Sequence, residues 1–365
     1  MPALNLGRAR VEAIDQEGEG VQFLTVGMGD RLERAVNYLD LGERVAVGEE
    51  VVVNTTAVDL GLGSGGCHFV LPGSGKLDRG WGHLMKLRYT PLQLRVRAAE
   101  EQDSPWHPLF LQEKGLGGIP VLVAELHSMV APLALALQVL DPGARVVYLV
   151  TEGGALPAAL SHNTARLKEL GAISRVITSG QSFGGDLETI NAFTGLQAAR
   201  LVARGDYVVA AMGPGIAGTG TVYGFSGMEQ GATLQAAYAL GGQPILVPRI
   251  SFADSRPRHR GISHHSLTVL TRAYLGPAWV PLPLLPGSKG RAVLDKARGL
   301  PRRCRRRCLE GEYIGEIAAR HPRLFSTMGR GYPQDKEFYW ALGAAARLAV
   351  SLDRSKTPCR RIAIK

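Results

Sequence analysis

The chain has 365 residues, of which 45% are hydrophobic, and its 42 lysines and arginines against 32 aspartates and glutamates give a formal net charge of +10. This length and composition indicate a globular α/β protein of about two or three domains and exclude an aromatic-rich binding surface. Four cysteines are too few and too unevenly spaced for a disulfide framework, and the first residues lack the apolar stretch of a signal peptide. We therefore expect a cytoplasmic protein that is not inserted in a membrane.

Residues 1–110 predict a small β-barrel-like domain. The segment GVQFLTVG alternates between apolar and polar residues, and glycines punctuate the segment LGLGSGGCHFVLPGSG as they do in the turns of a barrel. Residues 97–115 combine charged residues with two prolines, which indicates the crossing into the next domain.

Residues 111–290 predict a Rossmann-like α/β domain with a doubly wound, mainly parallel sheet. Helical segments alternate with six apolar strands: VLVAEL at 121, RVVYLV at 145, SRVITS at 174, DYVVAA at 206, QPILVP at 243 and AWVPLP at 278. Residues 291–365 hold the basic run PRRCRRRC and predict a C-terminal helix from about Lys336 to Leu352 that packs on the α/β domain. The apolar stripe of this helix consists of Phe338, Leu342, Ala345 and Ala349.

Polar residues follow the predicted strands, at the edge where a doubly wound sheet binds its ligands. We expect Glu152 and either His264 or His265 to transfer protons, while Gln181 and Ser182 orient the ligand. The catalytic candidates are Glu152, Ser182, His264 and His265. The ligand-binding candidates are Ser179, Gln181, Gly213, Gly215, Gly218, Thr219, Gly220, Thr221, Arg249, Arg256 and His259.

The segment AMGPGIAGTG contains a G-x-G-x-x-G pattern at Gly213, Gly215 and Gly218. A dinucleotide-binding loop would turn directly into a helix and have an acidic residue at the end of the next strand. Here Pro214 stiffens the turn and the next strand ends at Arg249. The loop is better suited to hold a phosphate or carboxylate with its backbone amides, and the alternative is that its glycines only allow close packing.

A second pattern, G-x-S-x-G, lies at Gly180, Ser182 and Gly184 between a strand and a helix. This is the setting of a serine nucleophile in a strand-to-helix turn. Gly185 and Asp186 delay the helix that should start at once, so a ligand-binding or capping turn is the favoured interpretation of this pattern.

The segment SFADSRPRHRGISHHSLT, residues 251–268, holds three arginines and three of the chain's nine histidines. Its arginines could bind a planar anion and its histidines could act as acid or base, and the alternative is a capped helix start. We assign no metal, because adjacent histidines on a helix diverge by about 100° and the spacing H-E-x-x-H is absent. No cofactor can be assigned.

Two functions remain as hypotheses. The first is the binding, with or without transformation, of a small anionic metabolite at the carboxyl ends of the strands. The alternative is a nucleic-acid or ribonucleoprotein-associated factor that uses the barrel and the basic run Arg302–Arg307. Dimerisation through the C-terminal helix is compatible with both.

Several segments together resemble a bacterial family known only as a domain of unknown function, number 3866. They are VVVNTTAVDLGLGSGGCHFV at 51, GHLMKLRYTPLQ at 82, GPGIAGTGTVYGFSG at 213, RHRGISHHSLT at 258 and FSTMGRGYPQD at 325. The resemblance implies a cytosolic bacterial protein with this two-part architecture. It supplies no reaction, cofactor or catalytic residue, and the PRRCRRRC run is not expected from it.

Overall fold

Five strands near the amino terminus close into a barrel. The computed structural model describes residues 4–61, 65–73, 82–112 and 115–352. The barrel order is β1-β2-β3-β5-β4, and Val11, Leu24 and Val53 are among the side chains that fill its interior. This confirms the predicted barrel. Its strands are β1 (Leu6–Glu17), β2 (Val21–Met28), β3 (Arg31–Tyr38), β4 (Glu50–Asn54) and β5 (Cys67–Val70).

A short antiparallel hairpin, β6 (Leu84–Lys86) and β7 (Leu94–Val96), lies between the barrel and the large sheet in the sequence. Its Lys86 is buried, and Nζ donates to the Glu188 carboxylate at 2.6 Å and to the carbonyl of Thr178 at 3.3 Å. Because a buried ammonium group without its carboxylate would be strongly unfavourable, this pair fixes the hairpin on the sheet.

Eight parallel strands form the second sheet, in the order β11-β10-β9-β12-β8-β13-β16-β17. Its central strands are apolar throughout because helices cover both faces. The fold is therefore Rossmann-like, as the sequence predicts. The strands are β8 (Pro120–Ala124), β9 (Val146–Thr151), β10 (Arg175–Thr178), β11 (Leu187–Glu188), β12 (Tyr207–Met212), β13 (Gln243–Val247), β16 (Ala278–Pro283) and β17 (Cys304–Leu309).

Two of these strands, β11 and β17, are not among the six predicted ones. β11 has only two residues. β17 contains the second half of the basic run, and Arg305, Arg306 and Arg307 are exposed on it. An edge strand that faces solvent needs no apolar alternation, so the pattern that identifies the inner strands is missing here.

Ten α-helices occur in the described residues, and the longer ones cover both faces of the sheet. Ser161 caps α4, because its Oγ accepts from the amide of Thr164 at 3.0 Å. The helices are α1 (Thr56–Asp59), α2 (His107–Phe110), α3 (Val130–Leu140), α4 (His162–Glu169), α5 (Ala192–Gln197), α6 (Gln230–Ala239), α7 (His264–Thr268), α8 (Gly287–Arg298), α9 (Ile314–Arg320) and α10 (Lys336–Leu352).

The C-terminal helix α10 has the predicted bounds, but it is buried on more than one stripe. Besides Phe338 and Leu342, the small residues Ala341 and Gly343 to Ala346 are buried too, and Gly343 packs directly on the backbone of Gly311. Alanine and glycine allow this close approach, so α10 is part of the core. None of the helices in the described ranges is long and apolar enough to cross a membrane.

Two small hairpins lie beside the carboxyl ends of the sheet. The first pairs β14 (Ile250–Ser251) with β15 (Gly261–Ile262), and the second pairs β18 (Ser326–Thr327) with β19 (Arg330–Gly331). The first hairpin brings residues 252–260 back to the start of α7. The domain boundaries near residues 110 and 290 stay predictions.

Candidate functional site

The strand order reverses at β8. From β8 the chain passes to β9 on one side, whereas β13 and β16 lie on the other side, and β12 is inserted between β9 and β8. In open α/β sheets ligands bind beyond the carboxyl ends of the strands at such a switch point. Glu125 follows β8, residues 213–225 form the loop after β12, and Arg249 follows β13.

A buried ionic network occupies this point. The Arg249 guanidinium lies 3.3 Å from Glu125 Oε1 and 3.0 Å from Asp254 Oδ2, and the three side chains are at most 3% exposed. Asp254 also accepts two hydrogen bonds from the Arg256 guanidinium, at 2.9 and 2.8 Å. Burial opposes ionisation of Glu125, but His265 and Arg249 outweigh it and hold the pKa of this carboxyl below its ordinary value.

His259, His264 and His265, which we call the histidine cluster, lie against this network. Their ring centroids are 4.3 Å apart for His264 and His265, and 4.9 Å apart for His259 and each of the other two. One ring nitrogen from each residue lies within 4.8 Å of those of the others. The rings of the adjacent His264 and His265 therefore do not diverge far enough to be kept apart, and the β14–β15 hairpin returns His259 to the same place.

Hydrogen bonds orient two of the three rings. His265 Nδ1–H donates to Glu125 Oε1 at 2.6 Å, and the ring stacks on Phe225 at a centroid distance of 3.8 Å. His259 Nδ1 lies 2.8 Å from Ser263 Oγ, which also caps α7. Burial, followed by the charge of Arg249, lowers the pKa of His259 to about 4, so its ring is neutral at pH 7.

His264 differs from its two neighbours. Its Nε2 is buried and has no hydrogen-bond partner among the described residues. Burial lowers the pKa of His264, and the nearby charges of His265 and Arg258 lower it further. His264 thus presents a neutral ring with an unsatisfied nitrogen inside a polar cluster.

The loop of residues 213–225 covers the histidine cluster with Phe225. Thr219 and Thr221 close the loop from within, because their hydroxyls lie 3.0 Å apart and Thr221 Oγ1 accepts from the amide of Gly224 at 3.1 Å. Gly213 has a packing role, since a Cβ there would lie 2.2 Å from the carbonyl oxygen of Ala155. Two further glycines have positive φ angles that disfavour a side chain: Gly215 at 95° and Gly220 at 77°. Gly218 pairs with Phe225 as an isolated bridge.

The predicted residues after β9 and β10 lie apart from the histidine cluster. β9 is three positions from β13 in the sheet, which corresponds to about 14 Å at ~4.8 Å per strand. Glu152 accepts from the amide of Gln181 at 2.7 Å. The acid that meets His265 is Glu125, and the predicted pairing of Glu152 with His264 or His265 is not formed among the described residues.

The serine and glutamine candidates on this side are bound to backbone groups. Ser182 Oγ donates to the carbonyl of Thr151 at 2.9 Å, Ser179 Oγ donates to that of Val150 at 3.3 Å, and Gln181 Oε1 accepts from the amide of Leu87 at 2.7 Å. Strand β11 rather than a helix follows Ser182. The nucleophile arrangement considered for Ser182 is therefore not present in the described residues.

Several residues of the site were missed by the sequence interpretation. Glu125 has no assigned role there, although it interrupts an apolar run directly after a strand, which is the signal that could have identified it. Met328 Sδ lies 3.2 Å from the Arg249 guanidinium. Glu229, at the carboxyl end of the sheet, accepts from Thr151 Oγ1, and burial raises the pKa of Glu229 to about 7.

The fold and the site define a Rossmann-like α/β protein with a barrel before the sheet and a buried histidine and carboxylate cluster at the switch point. The chain belongs to the family described as Protein of unknown function (DUF3866), whose model matches residues 34–346, and this confirms the resemblance found in the sequence. The matched range contains the whole candidate site. No curated protein matches the chain.

Proposed function

We propose that the protein binds and transforms a small anionic metabolite, one that bears a phosphate or carboxylate, between the 213–225 loop and the histidine cluster. The observation that carries this proposal is the convergence of Glu125, Arg249 and the three histidines at the switch point. Buried ionisable groups with shifted pKa values are costly to a fold and concentrate at functional sites. A cytoplasmic location, where such metabolites occur, belongs to the same proposal.

The charge needed to bind an anion is supplied by Arg258. This arginine is exposed and forms no ion pair within the described part of the chain. A guanidinium nitrogen of Arg258 lies 4.0 Å from the position of a Cβ on Gly220, and its charge acts on His264. Arg249, in contrast, is buried and already paired with two carboxylates, so we assign it to holding the site rather than to contacting the ligand.

Backbone amides of the loop complement this arginine. Among the described residues, the amides of Gly220, Thr221 and Val222 donate no hydrogen bond, while Thr219 N donates to the carbonyl of Gly224. Consecutive free amides in a turn with a positive φ form a concave site for an anion. The loop and Arg258 therefore provide two kinds of donor on the same side of the histidine cluster.

The test is a thermal-shift screen of the purified protein against inorganic phosphate, sugar phosphates, nucleotides and small carboxylates. A ligand that binds only the native state raises the melting temperature by mass action. We expect a shift by one class of anion that is lost in Arg258→Ala and kept in Arg260→Ala, an exposed arginine two residues away. Equal shifts in both variants would remove Arg258 from the site, and no shift by any anion would refute the proposal.

Nucleic-acid binding remains the second candidate, and the observation that favours it is the exposed row of arginines on the edge strand β17. Some of these arginines are engaged within the chain: Arg305 lies over Trp279 at 5.4 Å, and Arg306 donates to the carbonyl of Ala297 at 2.9 Å. RNA binding that weakens steeply with salt and is lost when Arg305 and Arg307 are changed to glutamine would support this candidate. Unchanged binding in that variant would exclude β17 as the contact surface.

A further inference from the structure

The histidine cluster has the composition of a transition-metal site. Three imidazoles each direct one ring nitrogen to a common region, with the three atoms within 4.8 Å of one another. Two nitrogens on a tetrahedral Zn²⁺, with bonds of about 2.1 Å, lie about 3.4 Å apart. Small rotations of the side chains are enough to close this difference.

The groups behind the cluster are those that fix metal-binding histidines. Metal-ligating histidines commonly donate their second ring nitrogen to a carboxylate or another acceptor, which sets the tautomer and the ring orientation. His265 donates to Glu125 in this way, and Glu125 is held in turn by Arg249. His259 Nδ1 is bonded to Ser263. In both residues Nε2 remains as the nitrogen that can bind a metal.

The third histidine adds an independent observation. His264 Nε2 is buried without a partner among the described residues, and an unsatisfied buried polar atom of this kind opposes folding. A cluster that served only to cap α7 would not require this cost, because Ser263 already caps the helix. A bound metal ion would satisfy this nitrogen.

We propose that His259, His264 and His265 bind one divalent transition-metal ion, such as Zn²⁺, through one ring nitrogen each. Three neutral ligands leave a coordination position for water or an anion and do not compensate the charge of the ion. The adjacent charges of Glu125, Asp254, Arg249 and Arg256 cancel in pairs. An anion is therefore the favoured fourth ligand, although metal binding itself does not depend on the anion proposal.

The test is a titration of chelator-treated protein with Co²⁺, which gives a visible absorption band when it is bound in a tetrahedral site, followed by displacement with Zn²⁺. We expect one Co²⁺ per chain. The band should be lost in His264→Ala, which removes the nitrogen without a hydrogen-bond partner among the described residues, and kept in His83→Ala, a change at an exposed histidine far from the cluster in sequence. Circular dichroism verifies that each variant is folded.

A positioning role of Glu125 provides a second readout. Glu125→Gln keeps the shape of the side chain but removes its charge, and loss of such an outer carboxylate lowers metal affinity about 10- to 100-fold. The metal proposal is refuted if folded protein gives no tetrahedral band, or if His264→Ala binds Co²⁺ as the parent does. Metal binding without any anion-induced shift would instead refute the proposed function and leave the metal site intact.

Discussion

Arg249 shows at the level of a single residue how the site is held together. It lies between Glu125 and Asp254 in a buried network, and removal of one member leaves an uncompensated buried charge. We expect Arg249→Met to lower the free energy of unfolding by about 3–5 kcal/mol. Chemical denaturation followed by circular dichroism measures this change.

The matched control is the same substitution in an exposed pair. Arg166 lies 2.8 Å from Glu169 with both side chains more than half exposed, so Arg166→Met should cost less than about 1 kcal/mol. The double variant Arg249→Met with Glu125→Gln should be less destabilised than the sum of the two single changes. Additive effects would show that Arg249 and Glu125 do not form the pair described.

The buried carboxyl of Glu229 should make the stability of the protein depend on pH. Burial raises the pKa of Glu229 from its ordinary value of 4.5 to about 7, so the native state keeps the proton that the unfolded state releases. The stabilisation is fully present below pH 4.5 and is lost as the pH rises to about 7. The total loss in the free energy of unfolding is at most about 3 kcal/mol.

The variant Glu229→Gln should not show this loss. We expect the difference between its free energy of unfolding and that of the parent, measured from pH 4 to pH 8, to increase in favour of the variant through the same pH window. Glu169→Gln, a change at an exposed carboxylate, should run parallel to the parent. A constant difference between Glu229→Gln and the parent would mean that Glu229 titrates in its ordinary range.

Among the elements, the 213–225 loop combines glycines that serve different purposes. Gly213→Ala would place a Cβ against the carbonyl of Ala155, and we expect a loss of about 1–3 kcal/mol in the free energy of unfolding. Gly73→Ala is the control, because no atom of the described residues lies within 4 Å of a Cβ at that position. Equal stability of the two variants, measured by denaturant titration, would show that Gly213 does not pack as described.

The elements also show where sequence reasoning succeeds. The inner strands and α10 have strong patterns, since burial on two faces imposes apolar runs and burial of one helix face imposes a stripe. Such patterns do not predict β17, because an edge strand can carry arginines. The sequence pattern also does not predict that most of α10 is buried, because alanine and glycine are weakly hydrophobic but allow close packing.

At the scale of the whole molecule, strand order decides which polar residues meet. The rule that sites lie at strand ends directs attention to Arg249, the loop and the histidines, and these residues lie together in the structure. The rule cannot choose between Glu125 and Glu152, because both follow strands, and only the strand order shows that β12 and β8 both lie between β9 and β13. The neighbouring position of β8 and β13 is what brings Glu125 to Arg249 and His265.

The central claim is that the working site of the molecule lies at this switch point. The most direct measurement is a crystal structure of the protein soaked with the anion that gives the largest thermal shift. We predict density for that anion within hydrogen-bonding distance of the Arg258 guanidinium and the amides of residues 220–222, beside the histidine cluster. Density for the anion on the arginines of β17 or on the barrel, with none at the switch point, would contradict the account.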